Sequence, residues 1–202
     1  NMELSIFDEF KLKSLKGNFE FSDTEIRYME NMPVVKNLHG KADFFSSNII
    51  FNIFSGDSEN LDLIKGTVDL FDLDTDVEKA KISLKIKGKN VDVLDYLDKS
   101  IIDKNTYSEL RDVYGNNVVN LDLSFPLLVN LKTEQITYES NINIEQAVYN
   151  DFFSDTDIKD FNLYILVNNS KTEFKGAGRL LGSNFTFNGN QINKKGNLVN
   201  SI

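Results

Sequence analysis

The 202-residue chain contains no cysteine and no tryptophan, only two prolines, and a single histidine. The missing cysteine excludes disulfides, thiolate nucleophiles, cysteine zinc sites and iron–sulfur clusters together. It leaves the compartment open. With His39 alone, a histidine zinc site lacks its further ligands, and a serine nucleophile has no paired base except at one place in the chain. No Gly-x-Ser-x-Gly turn occurs. Lacking tryptophan, the chain has fewer of the aromatic platforms that sugar-binding clefts use. No apolar run approaches the roughly 20 residues of a membrane span, and the first residues carry no basic–apolar–small signal pattern.

Positive charge is also scarce. Against 31 acidic residues stand 22 basic ones, for a net charge of -9. The clusters Lys11/Lys13/Lys16 and Lys194/Lys195 are too short to form a track for nucleic acid, which needs clustered cations. The Asn-Met start reads as a tag remnant before a segment cut from a longer chain, so 1–202 is expected to be one domain of a larger protein.

What the chain does have is alternation of period two. Ile49, Phe51 and Ile53 alternate with Ile50, Asn52 and Phe54. Ala80, Ile82, Leu84 and Ile86 alternate with Lys81, Ser83, Lys85 and Lys87. Val119, Leu121, Leu123, Phe125 and Leu127 oppose Asn120, Asp122, Ser124 and Pro126. Ile136, Tyr138, Ile142 and Ile144 oppose Thr137, Glu139, Asn141 and Asn143. Phe161, Leu163, Ile165 and Val167 oppose Asn162, Tyr164, Leu166 and Asn168. Weaker strands are expected over 18–21, 25–28, 41–45, 61–71, 173–180 and 184–188. Turn chemistry at Ser22-Asp23-Thr24, Phe45-Ser46-Ser47-Asn48, Gly56-Asp57-Ser58, Leu181-Gly182-Ser183 and Gly189-Asn190 separates them. Short strands with short turns make an antiparallel meander with one dry face and one wet face.

Residues 91–114 break the pattern. Val93, Leu94, Leu97 and Ile101 follow helical spacing after Asn90, a residue suited to an N-cap. Thr106-x-x-Glu109 reads as a capping box, Tyr107, Leu110, Val113 and Tyr114 as an apolar stripe, and Gly115 as the C′ stop. Two short amphipathic helices are expected here. The segment 146–157 is compatible with a strand end or a helical turn.

Four groups invite a chemical reading. His39, between Leu38 and Gly40, is read as a turn residue leading into a strand. Asp72-Leu73-Asp74-Thr75-Asp76 has the spacing that opens a calcium loop, but Val77 and Ser83 stand where the loop needs glycine and glutamate. It is read as an acidic hairpin turn. Asp151, Asp155, Asp157 and Asp160 are read as solvated loop, and Gly176-Ala177-Gly178 as a strand approached closely by a neighbour. No catalytic residue, metal or cofactor is assigned.

The apolar face remains. Two short helices supply about eight apolar side chains, far fewer than the strands present. Either the sheet closes on itself or it curls into a trough with an incompletely covered interior.

The stretch "TEIRYMENMPVVKNLHGKADFFSSNIIFNIFSGDSENLDLIKGTVDLFDL" (24–73) resembles the AsmA-like superfamily of bacterial envelope proteins, the TamB and YhdP type. It shares a strand ending in Tyr28, a Pro33-Val34-Val35 turn and then "His-Gly-Lys-Ala-Asp-Phe" from His39. The later order, "KISLKIKGKNVDVLDYLDK" (81–99), a helical insert and "NLDLSFPLLVN" (120–130), is similar too. The resemblance implies a periplasmic protein of Gram-negative bacteria, anchored in the inner membrane by parts of the chain not present here. It also implies a curled β-sheet whose apolar groove moves phospholipid toward the outer membrane, continued by neighbouring β-groove segments of the same protein.

The expected fold is therefore mainly β: a curled antiparallel sheet of roughly ten strands forming a trough, with the two helices at one end or edge. The expected function is non-catalytic carriage of phospholipid acyl chains. Its groove lining would be Ile49, Phe51, Ile53, Ile82, Leu84, Ile86, Leu121, Leu123, Phe125, Ile136, Tyr138, Ile142, Ile144, Leu163, Ile165 and Val167. The alternative is a structural or protein-interaction module of the envelope with a closed core.

Overall fold

A computed structural model describes the protein except at residues 1, 8, 29–31, 100–107, 154–155, 195–196 and 202. Side chains at 2–7, 9–15, 108–109, 151, 153, 193–194 and 197–201 are also outside the description. Two strands, β1 (Met2–Phe7) and β2 (Glu9–Leu15), pair with each other. Eleven more form one antiparallel sheet in strict chain order. They are β3 (Gly17–Ile26), β4 (Val35–Phe44), β5 (Ile49–Ser58), β6 (Leu61–Phe71), β7 (Lys79–Lys89), β8 (Val113–Pro126), β9 (Thr137–Phe153), β10 (Thr156–Asn168), β11 (Lys171–Leu180), β12 (Ser183–Lys194) and β13 (Asn197–Ser201). The sheet is open: β3 and β13 are its edges and do not pair with each other. The expected fold class is the one observed, with one α-helix among the described residues; the start of the second expected helix lies outside them. The described helix is α1 (Asn90–Leu97), and 3-10 turns occupy Ser108–Asp112 and Thr133–Gln135.

The register preserves the face. One cross-strand row runs Phe19, Ala42, Phe51, Val68, Ile82, Leu123, Tyr138. The next runs Phe21, Gly40, Ile53, Gly66, Leu84, Leu121, Ser140, Val167. A third joins Leu63, Ile86, Val119, Ile142, Ile165 and Phe174. A one-residue slip at any pairing would turn every later side chain to the other face. Where single extra residues do enter, they come as bulges that restore the phase. Asp23, Asn37, Gln146 and Asp160 lie inside strands with φ of 50–51°, beside the register shifts of β3/β4, β4/β5, β9/β10 and β10/β11. Bulges bend a strand and raise its twist, so they curl the sheet.

Glycines mark where neighbouring strands come close. At nine of them, a Cβ would lie 2.4–2.9 Å from a neighbouring strand's atoms. Gly17 lies under the Phe44 ring, Gly176 under Phe187 and Gly189 under Phe174, so each glycine makes room for a cross-strand side chain or backbone.

Several boundaries differ from the sequence reading. Ser22-Asp23-Thr24 is a bulge inside β3, not a turn, and Gly189-Asn190 lies within β12. Gly40 sits in the middle of β4 instead of opening it. Gly115 does not stop a helix. It belongs to β8, with Ala147 Cβ 2.9 Å from where its own Cβ would be. Val113 and Tyr114 likewise start β8: Val113 is buried and Tyr114 exposed, as strand alternation requires. The capping box at Thr106 and Glu109 and the positions Ile101 and Tyr107 lie outside the residues whose side chains are described. The segment 146–157 is strand on both sides of residues 154–155.

Candidate functional site: the apolar face

Fifteen of the sixteen expected lining residues lie in β5, β7, β8, β9 or β10. Ile136 is the exception, standing between the Thr133–Gln135 turn and β9. Within each strand they occupy alternate positions, and the pairings place them on one side of the sheet. Only Ile144, Leu163 and Ile165 are buried, and the other thirteen are half-buried. That includes Ile82, Leu84, Leu121 and Leu123 on β7 and β8, which have strands on both sides. In a closed sandwich such central residues lie fully inside.

Cover is uneven along the trough. Toward β8–β12 a core forms from Val113, Ile144, Ala147, Ile158, Phe161, Leu163 and Ile165, with Phe185 and Phe187 packed on it. The Phe161 and Phe187 rings stack at 5.8 Å across β11, where Gly176 leaves room. At the β3 edge, Phe19 and Phe21 each lie edge-on or tilted to Phe51 at 6.4 Å, yet Phe19 remains 47% exposed.

Helix α1 roofs part of the rim between these regions. Asn90 does not cap it: Lys89 holds the N-cap position, without a side-chain bond. Asn90 is instead a buried clamp. Its Nδ2 donates to Leu110 O and Val113 O, both at 2.7 Å, and its Oδ1 accepts from Asn117 Nδ2 at 2.9 Å. The helix buries Leu94. Its outer side is tied by exposed groups: Asn60 Nδ2 donates to Asp92 Oδ1 at 2.8 Å, Lys99 pairs with Glu59, and Tyr96 shares a hydroxyl contact with Tyr28. Burial, reinforced by that contact, pushes the Tyr28 hydroxyl well above its ordinary value. Arg111 bonds Asp98 and Asp95, which hold its guanidinium charged. Sequence reading missed the Asn90–Asn117 pair, because both asparagines look like polar cap or wet-face residues when their register is unknown.

The other candidates disperse. His39 is an exposed residue within β4, its Nδ1 3.4 Å from Asn37 O. Asp72–Asp76 forms the β6–β7 turn, with Thr75 Oγ1 donating to Asp72 O at 2.8 Å and Lys79 paired to Asp72 at 2.8 Å. Among the described residues no acidic or histidine group is arranged to hold a metal ion. Asp157 and Asp160 are strand residues of β10 rather than solvated loop, and Asp151 falls in β9. Asp155 lies outside the described residues. A hollow of about 430 Å³ at the β8–β9 rim is lined in part by Lys81, Asp122, Tyr138 and Glu139. Asp122 and Glu139 are cross-strand partners there, and Ser83 donates to Asp122 at 2.5 Å.

Among the described residues no helix is long and apolar enough to cross a membrane. Searches of protein-family models, characterised proteins and solved structures return no match to this chain.

Proposed function

We propose that this chain is one segment of a periplasmic, bridge-like lipid-transport protein of the AsmA-like kind, and that its concave apolar face carries phospholipid acyl chains without catalysis. The observation that carries the reading is the set of cross-strand rows of apolar residues and glycine, kept in phase across one register shift between Leu63 and Lys65, on a face left half-exposed along β5–β8. Eleven strands at about 4.8 Å span roughly 50 Å, long enough to hold lipid and short enough to need continuing segments. An acyl chain of about 16 carbons, half withdrawn from water, gains about 6 kcal/mol at about 0.8 kcal/mol per methylene. Similar side chains in successive rows keep that gain nearly level as the chain slides. Head groups stay in water at the rims.

The test is native mass spectrometry after incubation with phospholipid vesicles. The wild-type chain is expected to carry lipid, and Leu84→Glu with Leu123→Glu to carry none while keeping its β signature. Wild-type protein that emerges free of lipid under these conditions would contradict the proposal.

A further inference from the structure

The outer face of β7, opposite the apolar groove, gathers cations in a chain whose net charge is -9. Lys85 and Lys87 alternate there with Leu84 and Ile86, and Lys65 stands directly across from Lys85. Side chains directly opposed on one face have Cβ atoms about 4.5–5.5 Å apart, and like charges so placed are destabilising. Residues two apart along a strand are separated by about 7 Å, so the three ammonium groups can reach one spot. Lys41, Lys79, Lys99 and Lys171 each pair with a carboxylate. Among the described residues, Lys65, Lys85 and Lys87 form no ion pair. Lys85 is half-buried, and its neighbours on this face are Ser83, Lys87, Lys65 and Asn120. No carboxylate stands directly beside it. Asp62 lies opposite Lys87 and pairs with none of the three.

Beside these lysines the surface opens into a hollow of about 350 Å³, lined in part by Ile64, Lys85, Lys87, Asn116, Glu145 and Gln146. Two bulges bracket it. Ile64 is the extra residue at the β6/β7 register shift, and Gln146, with a φ of 51°, sits at a β9/β10 shift. Bulges of this kind re-aim side chains and are frequent beside functional sites. We propose that the hollow binds a phosphate monoester, held by Lys85 and Lys87 with Lys65 at its border. Lysine meets phosphate as a point charge with three donors. A phosphate monoester carries a charge of about −1.5 to −2 at neutral pH, which answers this cluster better than a single carboxylate does. The Asn116 and Gln146 amides supply further donors, and Glu145 accepts from a hydroxyl of the esterified alcohol. The same chemistry comes from a soluble ester or from a lipid head group. The site lies on the face away from the groove and does not rest on the groove reading.

The test follows the lysine ε-methylene resonances of the full chain at low salt during titration with glycerol 3-phosphate, against sodium chloride at matched ionic strength. Alongside it runs cosedimentation with phosphatidylcholine vesicles with and without phosphatidic acid. Lys85 and Lys87 are expected to shift saturably, while Lys171, paired with Glu173, stays. Lys85→Gln with Lys87→Gln is expected to weaken binding at least about tenfold, since each charged hydrogen bond contributes about 1.5–3 kcal/mol. A shift with glycerol 3-phosphate assigns a soluble ester, and capture confined to phosphatidic acid vesicles assigns a head group. Two results overturn the site. In one, the resonances respond to the ester no more than to chloride and the vesicles do not bind. In the other, binding of either ligand survives the double substitution unchanged. Neither bears on the groove, whose own test uses the opposite face.

Discussion

At the scale of residues, the apolar face is made by what is small as much as by what is large. A methyl at Gly40 would lie 2.4 Å from Asn52 O and 2.4 Å from the Phe21 ring. The ring can turn, but the backbone carbonyl cannot. Gly40→Ala is therefore expected to cost about 1–3 kcal/mol, the range for overpacking, and to lower the melting temperature by about 2–4 °C per kcal/mol. Gly182 differs: a Cβ there meets nothing, and only its φ of +81° matters. Gly182→Asn should melt within a few degrees of wild type, because asparagine tolerates that region. Asn90 gives a third residue-scale test. Asn90→Ala leaves two carbonyls and the Asn117 amide without their partner. Urea unfolding should show a loss of about 3 kcal/mol or more. In a double-mutant cycle with Asn117→Ala the losses should be markedly less than additive, since the two share one bond.

The elements were partly legible in the sequence, and the reasons for failure are physical. Strands β5, β7 and β8 could be read because each alternates over a long uninterrupted run. The break at Ser22-Asp23-Thr24 misled because a bulge uses the same residues as a turn: Asp23 takes a left-handed conformation in either setting. Leu110, Val113 and Tyr114 misled because three apolar residues at helical spacing fit a single turn by chance, and only the exposure of Tyr114 beside buried Val113 separates the two. Gly115 read as a helix stop because crowding by Ala147, contributed by β9, cannot be seen locally.

Helix α1 is a roof strut, and its bonds make predictions of their own. Leu94→Ala should cost the local packing about 2–5 kcal/mol, so amides of α1 should exchange faster while those of β7 and β8 stay protected. The Tyr28 hydroxyl, raised from an ordinary value of 10.0 by burial and by Tyr96, makes a contribution fully present below about pH 10. That contribution is lost as pH rises further, because the unfolded chain releases the proton first. Tyr28→Phe should flatten the alkaline decline of the melting temperature.

At the scale of the whole molecule, the sequence carried the dry and wet faces but could not carry their cover. Alternation says that Ile82 and Leu123 share a side, whereas the bulges that bend the strands appear only in the register. The candidate lining was legible for the same reason: fifteen of sixteen positions fall in strands with the expected parity, and Ile136 fails because the strand starts one residue later. The core near Phe161 and the Asn90–Asn117 clamp depend on partners far apart in sequence, and no local pattern announces them.

The most direct test of the account uses a fatty acid bearing a doxyl spin label with methyl-labelled protein. An occupied groove should broaden the methyl resonances of Ile82, Leu84, Leu121 and Leu123 and spare those of Ile50, Ile64 and Val118 on the opposite face. Equal broadening on both faces, or none on either, would contradict it.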